Sequence, residues 1–389
     1  MIILGMMSGT SYDGIDSALC EIKYIDDEIQ IKLLAFESAE YSTKLRKQIT
    51  AAMPPLKIFM EDVCVLDTLI GQSFASAADA IIKKSGIQPD LIVSHGQTLF
   101  HWIDEFNRAA GTLQLGEPTW IAEKTGVQVL SNIRSRDIAA GGHGAPLVSI
   151  LDHLMLSQSD SVQGALNLGG ISNITITSNK MSTIAYDIGP ANALMDAAIL
   201  AHSAGKFSYD KKGEIAASGK VDPLLLKVFL EHSFYALPAP KSTGKEIFHL
   251  PYLIEIAGPV VDWAIEDILA TLLEVTVETV AIEVEKYGLA TLYVAGGGAL
   301  NLHLMGQLQN RLPECKVLTI SELGISTQSK EAIAFALIGF LTLHGLPGQI
   351  PSCTGAAGPR ILGSLTPGAT GMRLPEAISL MPASVRIIN

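Results

Sequence analysis

Residues 5–16 read Gly-Met-Met-Ser-Gly-Thr-Ser-Tyr-Asp-Gly-Ile-Asp, a set of side chains able to hold phosphate. Gly9 and Gly14 let backbone N–H groups approach a ligand, and Ser8, Thr10 and Ser11 add short hydroxyl donors. Asp13 and Asp16 add carboxylates that could hold Mg²⁺. An ordinary hairpin turn uses the same residue types, so the segment alone leaves both readings open. Residues 164–176 repeat the design with other letters: Asn167, Gly169, Gly170 and Asn173 form a second glycine-polar turn between two apolar runs. Gly296-Gly297-Gly298, with Asn301 just beyond, follows a third apolar run and fits a nucleotide-contacting loop, although a lone glycine run is weak evidence.

Two carboxylates stand where they could do acid–base work. Asp187 follows Thr183–Tyr186 and precedes Gly189-Pro190, so it sits at a strand end. It is either a base aimed into a cleft or the Asx turn that an Asp beside Gly-Pro often makes. Glu331 opens the last helix, where a carboxylate also favours the helix dipole. His95 lies in Ser94-His95-Gly96-Gln97-Thr98 and either binds substrate or satisfies core groups. Arg134, Arg136 and Asp137 precede the flexible segment 141–146. An Arg pair there could grip a carboxylate or sugar hydroxyls, or form charge pairs in a solvated loop.

The elements that must position these groups alternate between strand and helix patterns, which indicates α/β layers. Strands are expected at 2–4, 17–24, 29–37, 91–93, 127–130 and 291–295. Helices are expected at 63–84, 146–156, 258–287 and 330–343. The two hairpins of like design, one opening each half, suggest a duplicated architecture with one phosphate loop per lobe and a cleft between the lobes. The tail 347–389 is rich in Gly and Pro and has no evident role.

Composition narrows the function classes. The 389 residues favour two domains over one. With 27 basic against 39 acidic residues the net charge is −12, which argues against nucleic-acid or anionic-membrane partners. No signal peptide is visible at the start, and the apolar stretches are interrupted, so a cytoplasmic protein is expected. Cys20, Cys64, Cys315 and Cys353 lie far apart, as reduced thiols rather than a zinc set. Neither GxxxxGK[ST], HExxH nor GxSxG occurs.

Taken together the motifs resemble the anhydro-N-acetylmuramic acid kinase family. The segments that carry the likeness are 5–16, 94–98, 112–118, 136–148, 167–173, 240–246, 295–301 and 331–336. The resemblance implies a two-lobed, duplicated actin-like ATPase (ribonuclease H-like) fold. Its first lobe would span 1–130, completed by 345–389, and its second 131–344. It implies ATP and Mg²⁺ as cofactors, with Asp13 and Asp16 at the metal, and a homodimer. The implied reaction phosphorylates 1,6-anhydro-N-acetylmuramic acid and opens its anhydro ring hydrolytically, in murein recycling. By the same likeness Asp187 is the base and Glu331 helps to place the water. Gly9, Thr10, Ser11, Asp13, Gly14 and Asp16, with Asn167, Gly169, Gly170 and Asn173, surround the phosphates. Gly296, Gly297, Gly298 and Asn301 border the nucleotide. His95, Gln97, Thr98, Arg134, Arg136 and Asp137 lie on the sugar side.

The chain departs from the family pattern in places. Asn132-Ile133-Arg134 stands for Asp-Phe-Arg, and Tyr186-Asp187-Ile188-Gly189-Pro190-Ala191-Asn192 for Phe-Asp-Thr-Gly-Pro-Gly-Asn. His143 replaces a Gln, and Ser326-Thr327-Gln328-Ser329 lacks a family carboxylate. These changes leave two alternatives open: a kinase for another 1,6-anhydro sugar such as levoglucosan, or a nucleotide-binding actin-like ATPase without sugar turnover.

Overall fold

The computed structural model describes all residues except 10, 11, 13, 55, 107, 240, 245, 246 and 389. The phosphate-loop candidates Thr10, Ser11 and Asp13 therefore lie outside the described residues. The chain forms two compact units, Met1–Met155 with Ser329–Asn389, and Leu156–Gln328.

The chain opens with β1 (Ile2–Ser8), β2 (Gly14–Ile25) and β3 (Glu28–Glu40), then α1 (Thr43–Ala52) and α2 (Met60–Ser85). It continues with β4 (Leu91–Ile103), β5 (Ala109–Leu115), α3 (Thr119–Thr125), β6 (Val129–Ser131), α4 (Ser135–Ala139) and α5 (Ser149–Leu156). The second unit carries β7 (Gln163–Leu168), β8 (Ile171–Ser178), β9 (Met181–Pro190), α6 (Asn192–His202), α7 (Pro223–Leu230), α8 (Leu250–Ala257) and α9 (Ile265–Tyr287). It ends with β10 (Thr291–Ala295), α10 (Leu302–Arg311) and β11 (Lys316–Thr319). The chain then returns to the first unit through α11 (Lys330–Leu343), α12 (Pro351–Thr354), β12 (Ser364–Thr366) and β13 (Ser384–Ile388).

Duplication is visible in the strand order. In the first unit β6-β4-β1-β2-β3 are neighbours, and in the second β11-β10-β7-β8-β9. Each set is an antiparallel three-strand meander whose first strand is continued by two parallel strands. This is the duplicated ribonuclease H-like order that the resemblance implies, with an α/β core in each unit.

The division of residues follows from packing. Residues 131–155 and 329–344, expected with the second lobe, belong to the first unit. Within 131–155, α4 packs against β5; for 329–344 the cause is α11, which lies on β1, β2 and β4. Gly5 permits this close approach: a Cβ there would sit 2.0 Å from the Ala332 carbonyl oxygen. The Gly- and Pro-rich tail also finds a place. β12 pairs antiparallel with β6, and β13 pairs parallel with β3, extending the sheet at both edges.

Two helices differ from expectation. The pattern over 258–287 is broken, because Gly258 ends α8 at φ 77° and Pro259 follows; α9 starts only at Ile265. α2 is long and apolar enough to cross a bilayer by length and composition, yet Leu66, Ile70, Phe74, Ala78 and Ile81 bury its inner face in the first unit's core.

Candidate functional site

In the second unit a row of polar residues crosses the sheet at one end of its strands. Asn167 on β7 pairs in register with Asn173 on β8, which pairs with Asp187 on β9. Asn173 Nδ2 donates to Asp187 Oδ1 at 2.9 Å. Ser242 Oγ and the Thr243 N–H each donate to Oδ2 at 2.9 Å. Burial pushes the Asp187 carboxyl above the usual carboxylate range, and these three donors with Lys241 pull it back. A half-buried carboxylate held open in this way is suited to take a proton.

The row continues to β10, where Ala295 pairs with Asn167. Gly296 follows at φ 82°, and an added Cβ there would meet Asn167 Oδ1 at 2.6 Å and Leu168 O at 2.7 Å. The two glycine segments are therefore neighbours, packed backbone against backbone. Asn192, which the sequence reading passed over, fixes the first of them. Its Nδ2 donates to Leu168 O at 3.1 Å and Gly169 O at 2.8 Å. Its N–H also donates to Gly169 O, while the N–H groups of Ala191 and Ala193 donate to Gly170 O. Because a trans peptide points its N–H opposite to its C=O, the Gly170 N–H faces away from α6, as a phosphate donor must. Asn301 is buried, and its side chain accepts from the Leu304 N–H at 3.0 Å as the cap of α10.

The first unit carries a separate cluster. β1 and β2 pair as an antiparallel hairpin, and Ser8 pairs with Gln97 on β4. Ser8 Oγ lies 2.7 Å from both Gln97 Oε1 and Gly14 O, and Gln97 Nε2 donates to Gly9 O at 3.1 Å. Gln97 is fully buried and ties down the base of the hairpin. Thr98 Oγ1 accepts from Gln114 Nε2 at 3.1 Å.

His95 and Arg134 are brought together. Arg134 Nε donates to His95 Nε2 at 2.8 Å, and Nη1 donates to Gly144 O at 2.5 Å. With Nε2 accepting, His95 carries its proton on Nδ1, 2.9 Å from Gly96 O. Burial, and then the Arg134 charge, pushes His95 down to about 3, so the ring is neutral. Its face lies 4.8 Å from the Phe335 ring of α11. Four residues before Phe335 stands Glu331, half-buried. Burial pushes its carboxyl up, Lys330 and Arg134 pull it back, and the Asp16 carboxylate adds to the rise. Lys330 in turn pairs with Asp152 at 2.7 Å, both buried. Asp16, Glu331, Arg134 and His95 thus form one electrostatic group.

Asp137 and Arg136 make contacts with other segments of the first unit. Asp137 is fully buried; Oδ2 accepts from the Gly144 N–H at 2.7 Å and Oδ1 from Thr354 Oγ1 at 2.7 Å. It fastens the 141–144 loop to α12. Arg136 is exposed and donates to Ile361 O at 3.1 Å. Sequence reading missed Asn192, Ser242 and Thr243 as partners in the site. The polar segment 240–246 was the available signal, but nothing in its letters tells that Lys241, Ser242 and Thr243 fold onto β9.

A duplicated α/β sheet with glycine turns at strand ends and a carboxylate held beside one of them is an arrangement able to hold phosphate and take a proton. The family model described as anhydro-N-acetylmuramic acid kinase matches residues 1–368. The chain is 46% identical to the anhydro-N-acetylmuramic acid kinase of Streptomyces coelicolor over 392 residues, covering 100% of both chains. It is 46% identical to the protein of that name from Rhodococcus erythropolis over 395 residues, covering 100% of this chain and 99% of that one. Among solved structures, the activator of the 2-hydroxyisocaproyl-CoA dehydratase from Clostridium difficile, with bound ADPNP, aligns over 87% of this chain and 94% of its own at 11% identity and TM-score 0.43. That likeness is too distant to inform the site. The chain belongs to the anhydro-N-acetylmuramic acid kinase family and is an enzyme, a kinase.

Proposed function

We propose that the protein transfers the γ-phosphoryl group of ATP to 1,6-anhydro-N-acetylmuramic acid and opens the anhydro ring with water, giving N-acetylmuramic acid 6-phosphate. The observation that carries this reading is Asp187, a half-buried carboxylate held by three donors in a chain of this family.

The chemistry explains why a kinase here needs a base acting on water. In an anhydro sugar O6 is bonded to the anomeric carbon and bears no proton. A water attacks that carbon and gives a proton to Asp187. The bond from the anomeric carbon to O6 breaks, and O6 takes its electron pair to the γ-phosphorus as ADP leaves. This joins an inverting-glycosidase step to in-line phosphoryl transfer. The turns at 169–170 and 296–298 receive the nucleotide and its phosphates. Glu331 helps to place the water, while His95 and Arg134 serve the sugar.

Among the described residues no three His, Cys, Asp or Glu side chains gather as a metal cluster. Mg²⁺ keeps several waters and needs only one or two carboxylates plus phosphate oxygens. Asp16 is the described carboxylate that would hold it, and the ion would neutralise charge on the phosphates. The reading further places the protein in the cytoplasm, as a homodimer that returns murein fragments to metabolism.

Incubation with ATP and the anhydro sugar in ¹⁸O-water tests the reaction. The expected product carries ¹⁸O on the anomeric carbon and none in the phosphate. A product that retains the anhydro ring overturns the water step. Turnover of levoglucosan at equal kcat/KM moves the substrate to anhydro sugars without a lactyl carboxylate. ATP binding with no product from any anhydro sugar leaves an ATPase without sugar turnover.

A further inference from the structure

We propose that the turn Lys241–Thr243 is a positioning element for the base, which occupies Asp187 Oδ2 and leaves Oδ1 as the atom that takes the proton. This rests on the reading of Asp187 as base. A carboxylate offers about four lone-pair sites, two on each oxygen. Ser242 Oγ and the Thr243 N–H fill both sites on Oδ2. Among the described residues Asn173 Nδ2 fills one site on Oδ1, and one remains. The proton acceptor is thereby chosen by the turn and not by the strand that carries the carboxylate.

The turn is fixed well enough to make that choice. The Asp187 N–H donates to Lys241 O at 3.0 Å, so the backbone of Asp187 holds Lys241 while its side chain holds Ser242 and Thr243. Lys241 Nζ donates to Phe234 O at 3.3 Å and Tyr235 O at 3.0 Å, and lies 4.8 Å from the Phe234 ring centroid. Phe234 and Tyr235 pack on Phe248, so the anchor reaches the core. Among the described residues Lys241 is the charged group that acts on Asp187 directly. From α9, Glu283 and Lys286 bear on Lys241. Glu283 also accepts from the hydroxyl of Tyr186, the residue before Asp187. The side chain of Thr243 makes no hydrogen bond to Asp187: among the described residues its buried hydroxyl has no partner, and only its N–H is used.

The test compares Ser242→Ala, Ser242→Thr and Thr243→Val in the full chain. The Asp187 carboxyl is followed by ¹³C NMR, assigned with Asp187→Asn, alongside the pH profile of kcat. Ser242 is exposed, and thermal unfolding checks that each variant is folded. Losing one donor to the ionised form raises the Asp187 midpoint by about one pH unit in Ser242→Ala and moves the acidic limb of kcat with it. KM for ATP stays within about twofold, because the phosphate turns are untouched. Ser242→Thr restores the midpoint, and Thr243→Val leaves it in place. An unmoved midpoint in Ser242→Ala, or an equal rise in Thr243→Val, overturns the proposal. The NMR midpoint needs no turnover. A shift there in a protein whose Asp187→Asn variant keeps full kcat would retain the clamp and remove Asp187 as base.

Discussion

Asn173 and Asp187 face each other across β8 and β9, and the Asn173 amide donates to Asp187 Oδ1 at 2.9 Å. The pair joins a residue of the second glycine turn to the candidate base, so both lie at one end of the same sheet. Asp187→Asn keeps the shape and removes the proton acceptor. The expected loss in kcat is about 10²–10⁴-fold, with ATP affinity changed little; steady-state kinetics and calorimetry of ATP binding read the two.

The pH profile should carry the mark of burial. Asp187 must be ionised to accept a proton, and burial holds its folded-state pKa above the ordinary value. Activity therefore falls as pH drops through that raised pKa. The acidic limb of kcat lies above about 3.9, where a free aspartate would place it. A limb at or below that value would separate Asp187 from the rate.

His95 makes the opposite statement about stability. Its folded pKa is pushed to about 3, while the unfolded ring titrates near its ordinary 6.5. Between those values the unfolded chain binds the extra proton, so His95 adds stability that rises with pH up to about 6.5 and is lost on acidification. Replacing it by Gln should flatten the stability–pH curve in that window, measured by urea unfolding. Arg134→Met should strand both His95 Nε2 and Gly144 O, at a cost of about 1–3 kcal/mol each.

Gly5→Ala should be among the most damaging small changes in the chain. The new methyl would lie 2.0 Å from Ala332 O and 2.7 Å from Ala336 N, backbone atoms of a helix that cannot yield locally. Overpacking of this kind costs about 1–3 kcal/mol or more. Because Ala332 adjoins Glu331, kcat should fall even at temperatures where the variant is folded; thermal melts and kinetics below the midpoint check both.

Asn192→Asp tests the phosphate turn. The change replaces two N–H donors by oxygen facing the carbonyls of Leu168 and Gly169. KM for ATP should rise about tenfold or more, the equivalent of about 1.4 kcal/mol or more, with the far-UV spectrum unchanged.

Much of this was legible in the letters. Two glycine-polar hairpins at corresponding places predicted duplication, and the strand order of the two sheets bears that out. α11 matches its predicted span, 330–343, because a long, mostly apolar run with no internal Pro leaves few alternatives. The start of α9 was misjudged where a Gly-Pro pair divides two helical patterns. The roles of β12 and β13 could not be read, since edge pairing depends on strands hundreds of residues away.

What the sequence alone determined is the kinase family, the duplicated α/β plan and the residue types able to bind phosphate and move a proton. These follow from local pattern and motif order. Only the tertiary structure decided how those residues are used. It set Gln97 beneath the hairpin, Asp137 inside a loop fastening and Arg136 on a distant carbonyl. It also brought Ser242 and Thr243 onto Asp187 from 55 and 56 residues away. Hydrogen bonds and burial act over a few ångströms, and separation along the chain does not tell which groups folding will bring within that range.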